Sequence, residues 1–324
     1  MTIFAVWLGN HSPEGQRSLE DVCGIWGHCA RALGHEAVWD PSNNASPRFL
    51  KSHAGLNVIV EGFTPSVIAL IAEHHAQGAR FICLATEEPT ETGGFNHSKP
   101  GTEMWLRQQI FPEAMKYFDG ILHLVPGQHV TDWYGQWAPS AYTELGYAPS
   151  LIRKHDHGQP EYEFGFFGSL SKRRLKILRR LNHSFGIGFE RRKTIRIEAT
   201  FPDQTKRDTI MREAKVILQI RKFDEMGLVS SSRCNTALCI GRPVIAEPHL
   251  LSHPWDEVVR FTPKYDSEDK TFQAFFDQAL MMRSAWKGVH AAQMERFKAK
   301  MSPEICVGRA LREIGLDLSE RKSA

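Results

Sequence analysis

No run in these 324 residues approaches the ~18 apolar residues that a membrane span requires, which argues against a spanning protein. No basic segment precedes the first strand-like stretch, so a secretory signal is not expected. Cysteine is sparse and scattered: Cys23, Cys29, Cys83, Cys234, Cys239 and Cys306 lie mostly inside apolar segments, with no C-x-x-C pair. They read as buried free thiols, and a cytoplasmic location follows as an expectation. The chain has no Walker A lysine, no G-x-G-x-x-G and no G-x-S-x-G, which removes the P-loop, the dinucleotide fingerprint and the nucleophile elbow. A D-x-D carboxylate pair is also absent. His249 and His253 lack a cysteine or carboxylate partner at ligand spacing, so no metal is expected. There is no fixed-period repeat and no low-complexity segment.

What is present is uneven in charge. Residues 1–154 carry 10 Lys+Arg against 15 Asp+Glu, whereas residues 155–324 carry the remaining 30 against 22. A basic half joined to an acidic half suggests that the second half meets an anionic ligand. No RNA- or DNA-binding motif accompanies these cations, so nucleic acid is not the expected partner.

The length suits two domains of roughly 150 residues each. In the first half, strand-like segments at Thr2–Leu8, Glu36–Trp39, Val58–Val60, Arg80–Ala85 and Gly120–Val125 alternate with helical spacing at Leu19–Leu33, Pro65–Ala76 and Glu103–Tyr117. Shorter pieces follow at Thr131–Trp137 and Ala141–Leu145. The polar stretch from Lys154 to Pro160 reads as a linker. Beyond it the alternation resumes. Strands are expected at Tyr162–Phe167, Ile187–Phe189, Val216–Ile220 and Val244–Ala246, with Val258–Phe261 a short last one. Helices are expected at Lys172–Leu181, at Thr205–Glu213 and around Arg233. Phe272–Met282, Ala291–Lys300 and Pro303–Ile314 then look helical. Strands separated by helices of this length mean βαβ units on parallel sheets. The expected fold is therefore α/β, two Rossmann-like domains facing across a cleft. Residues 1–154 would form the first domain and 155–324 the second, with its terminal helices.

Two stretches of the second half carry the chemistry. In Phe167-Gly168-Ser169-Leu170-Ser171-Lys172-Arg173-Arg174, Gly168 ends a strand and lets a ligand approach the backbone. Ser169 or Ser171 can cap the next helix, whose first N–H groups favour an anion. Three cations on that first turn oppose the helix dipole, a penalty that a bound diphosphate would offset. In Val229–Glu247, an amphipathic helix carrying Arg233 stops at Gly241, and a short strand ends on Glu247. The Arg233 guanidinium suits a diphosphate, against a surface salt bridge as its rival role. Asn235 and Thr236 could add hydrogen bonds, and Glu247 could take ribose hydroxyls or merely cap a loop.

F-F-G-S-L-S-K-R-R, then A-K-V-I-L-Q-I, then S-S-R-C-N-T-A-L-C-I-G-R-P-V-I-A-E resembles the donor domain of group-1 GT-B glycosyltransferases over about residues 160–250. The resemblance implies that Gly168, Ser169, Arg173 and Arg233 touch the diphosphate of a nucleotide sugar and that Glu247 lies near the nucleoside. It also implies terminal helices, from Phe272 onward, that cross back to the first domain. The E-x7-E pair found in many members would fall on Leu228 and Thr236, neither of them acidic.

In the first half, His11 follows the first strand and could accept a proton from an acceptor hydroxyl. Glu87 and Glu88, which follow the strand Arg80–Ala85, are rival bases. Gln128, His129 and Trp133 follow the next strand. The reading is a hexosyltransferase-like enzyme, metal-independent and with no cofactor beyond a nucleotide-diphosphate sugar as co-substrate. The acceptor is a hydroxyl-bearing glycan, lipid, protein or small molecule. The alternative is a degenerate GT-B protein that binds a nucleotide or a partner without catalysis.

Overall fold

The computed structural model describes residues 3–8, 13–39, 55–91, 93–153, 159–186, 193–198, 203–222, 229–248, 252–264 and 267–316. They form two compact units, one drawn from Met1–Ala148 and Met301–Ala324 and the other from Pro149–Lys300.

In the first unit the strands are β1 (Ile3–Leu8), β2 (Glu36–Trp39), β3 (Gly55–Val60), β4 (Arg80–Ala85), β5 (Gly120–His123) and β6 (Ser140–Tyr142). They make one sheet in the order β2-β1-β3-β4-β5-β6, and every pair is parallel. The connecting helices are α1 (Pro13–Ala32), α2 (Pro65–Ala76), α3 (Glu103–Met115) and α4 (Gln128–Gly135). β3 and β4 are near-continuous apolar runs buried along their length, as central parallel strands must be. α2 begins where Thr64 accepts the Val67 N–H and Pro65 takes the first helical position.

The second unit has β7 (Tyr162–Phe167), β8 (Lys193–Glu198), β9 (Ala214–Gln219), β10 (Val244–Ala246) and β11 (Arg260–Phe261), again all parallel, in the order β11-β10-β9-β7-β8. Its helices are α5 (Lys172–Gly186), α6 (Gln204–Glu213), α7 (Ser231–Ile240), α8 (Glu268–Ser284) and α9 (Trp286–Lys300). Phe164, Phe166, Val216, Leu218, Ile245, Leu178 and Phe275 pack as one apolar cluster between the sheet, α5 and α8. Each such side chain contributes roughly 1.5–3 kcal/mol when fully buried.

β8 was not anticipated, because the strand expected at Ile187–Phe189 lies outside the described residues. The sequence of β8, K-T-I-R-I-E, alternates charged and apolar residues and sits half-buried on a sheet edge, where charge discourages further pairing. α7 also differs from the amphipathic helix expected of it, since every residue except Ser232 is buried. The helix is enclosed by β9, β10, α6 and α9, and so has no solvent face. α8 and α9 stay in the second unit. The chain joins the first from Met301, where Tyr147 donates to the Met301 carbonyl (2.7 Å) and Thr143 to that of Cys306 (2.9 Å). A single turn of π-helix, Glu304–Gly308, leads there into α10 (Arg309–Glu313).

Candidate functional site

In the second unit the chain runs from β7 outward to β8 and then back to β9 on the other side of β7. The carboxyl ends of β7 and β9 therefore flank the point where strand order reverses, which is where open α/β sheets bind ligands. β7 ends at Phe167 and is followed by Gly168, whose φ of 125° is accessible to glycine and strained for other residues. β9 ends at Gln219.

Two arginines from different helices bridge these strand ends. Arg233, on the first turn of α7, donates to the Phe167 carbonyl (2.9 Å) and to the Gln219 side-chain oxygen. Arg174, on α5, donates to the Ser169 carbonyl (2.9 Å) and the Ile220 carbonyl (2.9 Å). Both guanidiniums lie over the Phe166 ring, at 5.4 and 5.5 Å, and Arg233 also lies over Phe167 at 4.9 Å. Arg233 is 4% exposed and Arg174 6%. Burial, followed by the proximity of Arg174, lowers the Arg233 pKa to about 9. Burial also lowers Arg174, to about 10, although Glu247 pulls the other way. Arg233 makes no ion pair with any described residue, and its Nε has no hydrogen-bond partner. The surface salt bridge that rivalled the anion-binding role is therefore not what the described residues form. A buried cation without a counter-ion is costly.

Gly168, Ser169 and Arg233 are thus brought together. Arg173 and Glu247 are brought together with each other: Arg173 forms a bidentate pair to Glu247 (2.9 and 2.7 Å), whose Oε2 also accepts the Arg221 N–H (2.7 Å). The α5 cap is Ser171, which accepts the Arg174 N–H at 3.2 Å. Asn235 is fully buried, and its amide oxygen accepts the Cys239 thiol one turn on. Thr236 is buried in the same helix. Of the two histidines set aside as metal ligands, His253 caps a short helical turn through the Trp255 N–H, and His249 lies outside the described residues. Arg174 was read only as one of three cations on the first turn of its helix, and Gln219 was not singled out from the sequence. The glutamine ending the apolar strand A-K-V-I-L-Q was the available signal.

In the first unit, the carboxyl edge of β3 and β4 holds a carboxylate cluster. Glu61, directly after β3 and 1% exposed, accepts the Thr86 N–H (2.6 Å) and the Thr86 hydroxyl. Arg107 lies 3.6 Å from Glu61 and 3.5 Å from Glu87. Burial and then Glu87 raise the Glu61 pKa to about 8, against the opposing pull of Arg107. Glu87 also accepts from Asn96, a residue held at φ 54°. Asn96 in turn fixes the backbone of Glu88, accepting the Glu88 N–H at 3.0 Å and donating its own N–H to the Glu88 carbonyl at 2.8 Å. The Glu88 carboxylate lies 3.9 Å from His129. His123, at the end of β5, engages the Val125 carbonyl and Thr131 and stays neutral, burial lowering its pKa to about 4. His11 lies outside the described residues. Glu61 was missed because a single acid after an apolar strand is an ordinary loop start.

Among the described residues, no group of three His, Cys, Asp or Glu side chains is placed to hold a metal ion, and no helix is long and apolar enough to cross a membrane. No family model matches the chain, and no curated protein matches its sequence. Solved structures do match. OtsA in its apo state is 10% identical, with a TM-score of 0.57, over 97% of this chain and 99% of its own. A DNA-modifying beta-glucosyltransferase, solved with and without uridine diphosphoglucose, is 7% identical with a TM-score of 0.55, over 98% of this chain and 100% of its own. An alpha,alpha-trehalose-phosphate synthase (UDP-forming) from Burkholderia xenovorans, in complex with glucose-6-phosphate, is 9% identical with a TM-score of 0.52, over 93% of this chain and 81% of its own. At these identities the likeness establishes the fold, which is that of the GT-B glycosyltransferases.

Proposed function

We propose that this chain is a glycosyltransferase whose second unit binds a nucleotide-diphosphate sugar. The observation that carries the reading is the pair of buried guanidiniums, Arg233 and Arg174, bridging the carboxyl ends of β7 and β9 where strand order reverses. Fixed donors at the place where charge develops stabilise a departing diphosphate without reorganising. As the bond from the sugar to the phosphate breaks, its electron pair passes to the diphosphate oxygen, and the two guanidiniums meet the added charge. The same cations make transfer independent of a divalent metal. The sugar carbon bonds to the acceptor oxygen, and the acceptor proton passes to a base. Glu88 is the better of the two loop carboxylates for that task, because Glu87 is occupied by Asn96 and Arg107. The acceptor is a hydroxyl-bearing molecule. A neighbour of the same fold is described with uridine diphosphoglucose, which makes UDP-sugars the first donors to try.

One observation favours a second reading, of a protein that binds a nucleotide without catalysis. Arg173 and Glu247, two groups expected to meet the donor, satisfy each other. A thermal-shift panel of nucleoside diphosphates and nucleotide sugars, followed by a donor-hydrolysis assay, separates the two. Stabilisation with turnover supports the transferase, stabilisation without turnover the binder, and no stabilisation by any nucleotide removes both.

A further inference from the structure

Gln219 ends β9 with 4% of its surface exposed. Its side-chain oxygen accepts a hydrogen bond from Arg233. A guanidinium has only donors, so the amide is held with its oxygen toward Arg233 and its NH2 group turned away. That NH2 group makes no hydrogen bond to a described residue. The backbone on either side is also committed. The Gln219 carbonyl accepts the Glu247 N–H at 3.1 Å, and the Ile220 carbonyl is held by Arg174 at 2.9 Å. The amide therefore carries two unspent donors beside a buried guanidinium whose Nε is unpaired. A buried donor left unpaired, as that Nε is, costs free energy unless an acceptor arrives, and an acceptor reaching it comes within range of the amide NH2.

We propose that Gln219 reads the ligand of this site directly: its amide oxygen orients the Arg233 guanidinium, and its amide NH2 donates to a non-bridging phosphate oxygen. The inference rests on the diphosphate reading above and adds to it a neutral donor whose side chain cannot be replaced by a carboxylate. An anionic acceptor is required, since Arg233 and Arg174 flank the amide and a cationic ligand would be repelled.

The test measures binding of UDP, GDP, ADP and inorganic pyrophosphate to the full chain by thermal shift and calorimetry, taking the tightest of the four as the probe. Four variants are compared with the wild type: Gln219→Met, Gln219→Glu, Arg233→Met and the double Gln219→Met/Arg233→Met. Expected are a loss of about tenfold or more in probe affinity for Gln219→Met and a greater loss for Gln219→Glu. The glutamate variant keeps its bond to Arg233, and its melting temperature should match or exceed that of the wild type. It is therefore informative even where the methionine variant folds poorly. The double variant should bind more weakly than Arg233→Met alone, because a direct contact does not act through Arg233. If the double equals Arg233→Met, Gln219 only positions the arginine and the direct contact is wrong. If Gln219→Met and Gln219→Glu bind like the wild type while Arg233→Met does not, the inference fails and the diphosphate site stands. If the wild type binds none of the four probes, both fail.

Discussion

Replacing Arg233 with methionine should weaken nucleotide binding severely while changing the stability of the empty protein little or raising it, because the cation is held without a counter-ion. A pKa of about 9 in place of 12.5 corresponds to about 5 kcal/mol disfavouring the charged form. The group is a base with a depressed pKa. Near pH 7 it is charged in both folded and unfolded states, so the cost is fully present there and would be relieved only as pH rises from about 9 toward 12.5. Methionine removes that cost but leaves the Phe167 carbonyl and the Gln219 oxygen without a donor, at about 1–3 kcal/mol each. The balance is a variant between about 1 kcal/mol less stable and about 3 kcal/mol more stable. Against this, two charge-assisted hydrogen bonds to a diphosphate are worth about 3–6 kcal/mol. Losing them weakens affinity at least about 150-fold at 1.4 kcal/mol per decade. Urea denaturation of the empty protein, with UDP titration by calorimetry, measures both quantities. A variant that binds UDP within threefold of the wild type, or that loses more than about 2 kcal/mol of stability, would refute the argument that an anion completes this site.

Three more outcomes follow from the same structure. The Glu61 carboxyl is raised, so the folded state keeps a proton that the unfolded chain releases above about pH 4.5; stability should fall as pH rises from there toward 8, by up to about 5 kcal/mol. Glu61→Gln should flatten that decline between urea midpoints taken at pH 5.5 and 8.5, and an unchanged slope would mean that another group carries it. Arg173→Ala strands Glu247 in a largely buried position and should cost about 3 kcal/mol, most of it recovered in the Arg173→Met/Glu247→Met double; a double-mutant cycle by denaturation checks this, and a single-variant loss under about 1 kcal/mol would show the pair to be slack. Gly168→Ala forces a side chain into a φ of 125°, on the order of 1–3 kcal/mol, and moves the carbonyl that Arg233 holds; an unchanged melting temperature would count against the strain.

Pro65–Ala76, Arg80–Ala85, Tyr162–Phe167 and Val244–Ala246 could be bounded from sequence at their true ends, because buried parallel strands are unbroken apolar runs and helix ends carry proline, glycine or a capping residue. β8 could not, since an edge strand alternates charge with apolar residues and gives no such run. The strand-ending glycine at Gly168 and an arginine at the start of the helix before Gly241 were also readable, because both are local patterns. Which cations remain without a partner was not readable. Arg173 and Arg174 are adjacent on α5, yet one finds Glu247 across 74 positions while the other turns to carbonyls on two strand ends. Glu61 is perturbed by Glu87 and Arg107, which come from later segments of the chain. Local sequence determined the elements through periodicity and end signals. Tertiary structure alone decided which charges are compensated, because that depends on contacts between residues far apart in the chain and on how much water their packing excludes.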